Sequence, residues 1–144
     1  MTNSLPSQYK EIASSNQLLG RIFDNQEITA LASAARTASL NSSEFTLYGA
    51  TGVIFVVDVT AVSLTPSVSI TLQCYDSLSG KWFNIITATA ITTTGTYKIM
   101  AFPNATAAAG SVASTVVARQ CRLNCIHSDT DSITYSIGVC PVLG

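Results

Sequence analysis

The stretch Thr51–Val62, TGVIFVVDVTAV, decides the fold class. Val53, Phe55, Val57 and Val59 recur at every second position and so share one face of an extended strand. Ile54, Val56 and Asp58 share the other. Both faces are so apolar that part of this strand is expected to be covered on both sides.

Working outward, the same period returns. Val68–Tyr75 sets Val68, Ile70, Leu72 and Cys74 against Ser69, Thr71 and Gln73. Asp76–Gly80, DSLSG, has the length and terminal glycine of a hairpin loop, and Lys81–Ala88 returns from it. Ala90–Thr94 and Thr96–Phe102, around Thr94-Gly95, read as a second short pair. Pro103–Gly110, PNATAAAG, reads as a loop, and Ser111–Ala118 as loop or strand. Upstream, Ile28–Ala38 alternates loosely, with many alanines.

Gln120–His127 and Ile133–Cys140 flank the polar segment Ser128–Ser132. If that segment closes a hairpin, Leu123 faces Ile137, Cys125 faces Tyr135 and Cys121 faces Val139. Arg122, Asn124, Ser136 and Gly138 then share an outer face. A one-residue slip would oppose Asn124 to Ile137, which the apolar pattern disfavours. The sum is about eight short strands and no convincing helix. The expected fold is all-β: a single β-sandwich or jelly-roll-like domain over residues 27–144, preceded by an extended N-terminal arm, residues 1–26.

That arm is polar, with a sparse apolar set that ends in Leu18, Leu19, Ile22 and Phe23. These four are too apolar for a purely solvated tail, and they are the candidate partner-binding residues. They are expected to order on a neighbouring subunit.

The 144 residues suit one domain with a real core. Apolar residues make up 47% and charged residues 10%, against roughly 25% in ordinary soluble domains. Eighteen serines and eighteen threonines, a quarter of the chain, fill the polar positions instead. Seven basic and eight acidic residues leave a formal charge of −1. With no basic cluster, nucleic acid is not an expected partner. The long charge-free runs are broken by Pro103, Asn104 and Gly110, so no membrane span is expected. The N-terminus lacks an apolar signal-peptide core, which points to assembly in the cytoplasm. A surface this poor in charge invites association.

Chemical motifs are sparse. Cys121 and Cys125 would lie roughly 13 Å apart along a strand, beyond disulfide reach. Cys140 points away from Cys121 in the register above. The four cysteines are therefore read as free thiols acting as small hydrophobes. His127, Ser128, Asp129, Asp131 and Ser132 contain the elements of a hydrolase triad. A triad needs a buried orienting carboxylate and an oxyanion site, however, and these residues share one tight turn. They suit a self-satisfying polar loop better. Asp129 and Asp131 also invite a Ca²⁺ reading, but the glycine and terminal glutamate of an EF-hand are missing. Asp58 is read as an edge or interface carboxylate paired with an arginine or backbone N–H groups. YGATG and AAAG match no phosphate-binding loop. No catalytic residue, cofactor or metal is expected.

The stretch from Ile28 through "ASAARTASLNS", "GVIFVVDVTAV" and "TPSVSITLQ" to "SGKW" resembles a group of small tailed-bacteriophage virion proteins. The ending RLNCIHSDTDSITYSIGV is similar to that group's as well. The resemblance spans roughly Ile28 to Val142, and its motifs are structural rather than catalytic. It implies a non-enzymatic head decoration (cement) protein on the capsid surface. The implied partner is the major capsid protein, and the implied state is a homo-oligomer, a trimer or dimer. The alternative is a tail- or fibre-associated sandwich that binds carbohydrate or a receptor, with Tyr75, Trp82 and Tyr97 as stacking groups.

Overall fold

A computed structural model describes residues 27–47 and 49–142. Leu18, Leu19, Ile22 and Phe23 lie outside the described residues.

Among the described residues ten strands form and no helix does. They are β1 (Ile28–Arg36), β2 (Leu40–Asn41), β3 (Phe45–Thr46), β4 (Gly52–Val62), β5 (Val68–Asp76), β6 (Lys81–Thr87), β7 (Gly95–Ala101), β8 (Val112–Ala113), β9 (Gln120–His127) and β10 (Ile133–Val142). One sheet has the order β1-β10-β4-β7-β8. The other runs β2-β9-β5-β6, with β3 also pairing β9. If β2 and β3 are taken as one interrupted strand and β8 is set aside, successive strands other than the β5–β6 pair cross between sheets, as two Greek keys. That winding is a jelly roll.

The alternation read from the sequence is the alternation of burial. In β4, Val53, Phe55, Val57 and Val59 are buried, and in β10 so are Ile133, Tyr135, Ile137 and Val139. Val68, Ile70, Leu72 and Cys74 of β5, with Cys121, Leu123 and Cys125 of β9, supply the facing layer. Each fully buried Val, Leu, Ile or Phe contributes about 1.5–3 kcal/mol relative to exposure. On the outer face of β4, Ile54 and Val56 are half-buried and Asp58 is exposed, so that side is only partly covered.

The hairpin of β5 and β6 forms as read, with Asp76 opposite Lys81. The Asp76 carboxylate accepts from the Leu78 and Ser79 amides and from the Ser79 hydroxyl at 2.7 Å. The Ser79 bonds, then the Leu78 amide, hold its carboxyl below the usual range.

Two expected pairings do not form. β9 and β10 belong to different sheets: β9 pairs β5, and β10 lies between β1 and β4. The Ser128–Ser132 segment therefore crosses between layers. Two strands with matching apolar faces can stand side by side or pack face to face. Here the faces meet across the core, and the outer groups Arg122 and Asn124 end up on the opposite side of the sandwich from Ser136 and Gly138. The pair between Ala90–Thr94 and Thr96–Phe102 is also absent. β7 instead joins β4, with Phe55 opposite Ile99, and Ile91 makes an isolated bridge to Val68. Ile91 is buried, so burial rather than a local turn fixes that segment.

Arg36 closes the edge strand β1. Its guanidinium donates to the carbonyls of Tyr135 at 2.5 Å, Ala32 at 2.6 Å and Ala34 at 3.2 Å, and lies 4.5 Å over the Tyr135 ring.

Candidate functional site

The outer face of the sheet β2-β9-β5-β6 presents an ordered row of polar and aromatic side chains. In β5 and β9 period-2 alternation puts them there, because Leu72, Cys74, Cys121, Leu123 and Cys125 between them fill the core, whereas in β6 Lys81 and Phe83 beside Trp82 are exposed as well. Asn124 donates to Asn41 at 2.7 Å, the Thr71 and Thr87 hydroxyls bond at 2.8 Å, Gln73 donates to Asn84 at 2.9 Å, and Arg122 donates to Gln73 at 2.9 Å. This ladder spans all four strands and fixes the side chains against one another.

An aromatic cluster adjoins it. Tyr75 stands opposite Trp82 in register, with ring centroids 5.0 Å apart and planes tilted by 51°. Arg122 places its guanidinium 4.1 Å from the Trp82 ring centroid. Beside Tyr75, an open cleft of about 370 Å³ is lined by Thr46, Tyr75, Ser77, Arg119 and Gln120.

The structure thus brings together two of the three aromatic residues singled out in the sequence. Tyr97 lies in β7, in the other sheet, with its hydroxyl on the Thr93 carbonyl at 2.9 Å. Sequence reading missed Arg122, Gln73, Asn84, Asn41 and Asn124 as a set. The outward parity of Gln73, Arg122 and Asn124 was visible, but their adjacency depends on strand order.

The cluster also shares an end of the sandwich with the chain entering β1. Ile28 lies opposite Val139, and Val142 opposite Gly52. Leu47 then links that end to β9 through the Arg119 carbonyl at 2.6 Å.

The His127 loop is organised differently from a triad. His127 Nε2 bonds the Tyr135 hydroxyl at 3.0 Å, and the two rings stack at 5.9 Å. Asp129 accepts from the Asp131 amide, and Asp131 accepts from the amide and hydroxyl of Thr65. The carboxylates order the loop backbone. Burial pushes the Cys125 thiol up to about 11, and the Tyr135 hydroxyl is raised chiefly by burial. Asp58 accepts from Thr96 at 3.4 Å in mid-sheet. Among the described residues, no three His, Cys, Asp or Glu side chains converge on one point. Among the described residues there is no helix long and apolar enough to cross a membrane.

Burial, then the Arg36 charge, lower the His127 pKa from its ordinary 6.5, with Asp129 opposing. The unfolded chain therefore binds this proton more tightly than the folded chain, and stability falls as pH drops below about 6.5. Urea midpoints taken at pH 7.5 and pH 5 should show that loss, and His127→Gln should reduce it. An unchanged slope in the variant would remove His127 as the cause.

No family model matches this chain, and no curated protein matches it. Solved structures similar to it include the SPBc2 prophage-derived protein YomS, at 13% identity and a TM-score of 0.47, covering 80% of this chain and 90% of that one. Another is the Clostridium thermocellum xylanase 10B CBM22-1–GH10 modules, crystallised with xylohexaose, at 14% identity and a TM-score of 0.44. That match covers 83% of this chain and 26% of the xylanase chain.

Proposed function

We propose that this chain is a non-enzymatic bacteriophage virion protein, a jelly-roll decoration protein that binds the outer capsid surface and bridges major capsid subunits. The observation that carries the reading is the outer face of β2-β9-β5-β6. Arg, Trp and Tyr are the side chains that dominate protein–protein binding energy, and here Arg122, Trp82 and Tyr75 pack together beside a pre-ordered amide and hydroxyl ladder. Little rotamer freedom is left to lose on docking, which favours binding. Low charge fits dense packing beside other copies, and a homo-oligomer, a trimer or dimer, would match the shell's local axes. The arm, residues 1–26, leads into β1 at the same end as this cluster. Leu18, Leu19, Ile22 and Phe23 are its anchors on a neighbouring subunit, and many weak contacts repeated over a shell add up to firm attachment.

Cosedimentation with purified shells tests this. Full-length protein should saturate shells at hundreds of copies, and deletion of residues 1–26 should reduce occupancy at least tenfold. Undiminished binding would remove the arm's role, and no binding of the full chain would remove the decoration role. The same aromatic cluster supports a second reading, glycan stacking on a tail or fibre. In that case Trp82→Ala, still folded, would abolish retention on a glycan array while the intact chain ignored shells.

A further inference from the structure

The four cysteines are not equivalent. Cys74 in β5 and Cys121 in β9 stand directly opposite each other in register, although 47 residues apart in sequence. Opposed antiparallel residues have Cα separations of about 4.5–5.5 Å, inside the range a disulfide requires. The two Sγ atoms are 2.8 Å apart, and both residues are fully buried. Cys125 lies opposite Ile70, and Cys140 lies in the other sheet, opposite Ile54. Neither is the in-register partner of another cysteine.

We infer that Cys74 and Cys121 form a cross-strand disulfide, a covalent staple between β5 and β9 that closes when the chain meets an oxidising medium. The co-reactant is a small-molecule disulfide. The Cys74 thiolate attacks one of its sulfurs and releases one small thiol. Cys121 then attacks the Cys74 sulfur of the mixed disulfide and releases the second. Two protein thiols are oxidised by two electrons, one small disulfide becomes two thiols, and the two protons pass to the departing thiolates. With the strands closed, the hydrogen bond from Cys121 holds Cys74 below its ordinary value, whereas that bond and burial push Cys121 up. Burial of both sulfurs means that reaction requires momentary separation of β5 from β9, or precedes their closure. A reducing cytoplasm keeps the pair as thiols.

The staple fixes the two strands next to Tyr75 and Arg122, whatever that face binds. It confines the segment between them, residues 75–120, so the oxidised protein should melt about 10 °C higher.

The test uses the full chain treated with oxidised glutathione, both in the native state and during refolding. The protein is then unfolded, alkylated and digested without reductant. The expected product is a mass about 2 Da lower and one linked peptide pair joining Cys74 to Cys121, with the melting shift reversed by dithiothreitol. The link should persist in Cys125→Ala/Cys140→Ala. Full alkylation of Cys74 and Cys121 after both treatments, or links through Cys125 or Cys140 instead, would overturn the inference. Peptide mapping of the unsubstituted protein decides the matter even if a cysteine variant fails to fold.

Discussion

Phe55→Ala is expected to lower stability by about 3–5 kcal/mol, the range for an aromatic truncated in a close-packed interior. Phe55 of β4 is fully buried, between Val139 of β10 and Ile99 of β7 in register. Removing its ring takes away apolar burial and leaves a cavity that two hydrogen-bonded neighbours prevent from collapsing. Domains of this size have total stabilities of about 5–15 kcal/mol, so the variant would sit near the edge of folding at 37 °C. Urea unfolding followed by Trp82 fluorescence would show the midpoint fall. Val56→Ala, one residue along and only half-buried, should cost about 1 kcal/mol or less. Equal costs at the two sites would contradict the inward and outward faces of β4.

Gly110→Ala should cost about 2–4 kcal/mol, from two separable causes. The φ of Gly110 is +78°, where a side chain is strained. A Cβ there would also collide with the Thr89 hydroxyl and come within 2.9 Å of the Thr89 backbone nitrogen. That nitrogen donates to the Gly110 carbonyl at 3.1 Å, so relieving the clash breaks the tie between the long β7–β9 connection and the segment after β6. Gly49 is the internal control. Its φ is +75°, and a Cβ would meet nothing within 4 Å. Gly49→Ala should therefore cost only the strain, about 1 kcal/mol. Thermal unfolding of both variants measures the difference, and equal shifts would mean that the Thr89 contact carries no energy.

The long strands and their inward faces were legible because a strand buried on one face writes its orientation at every second residue. The β5–β6 hairpin was legible because its loop is short and its turn chemistry local. The two-residue strands β2 and β3 were not, since two residues show no period. The outer-face site was half legible. Tyr75 and Trp82 meet across a local hairpin, whereas Arg122 reaches Trp82 only because β9 pairs β5.

What the amino-acid order determined by itself was which side of each strand is apolar, and hence an all-β sandwich. What only the tertiary structure decided was which strands are neighbours. The apolar sets of β9 and β10 match equally well side by side or face to face, and a five-residue polar connection serves either arrangement. The choice is made by the competing partners: β5 offers β9, and β1 and β4 offer β10, a hydrogen-bonded edge and a shared core. That same choice places Cys74 against Cys121 across 47 residues, a contact no spacing rule along the chain can announce.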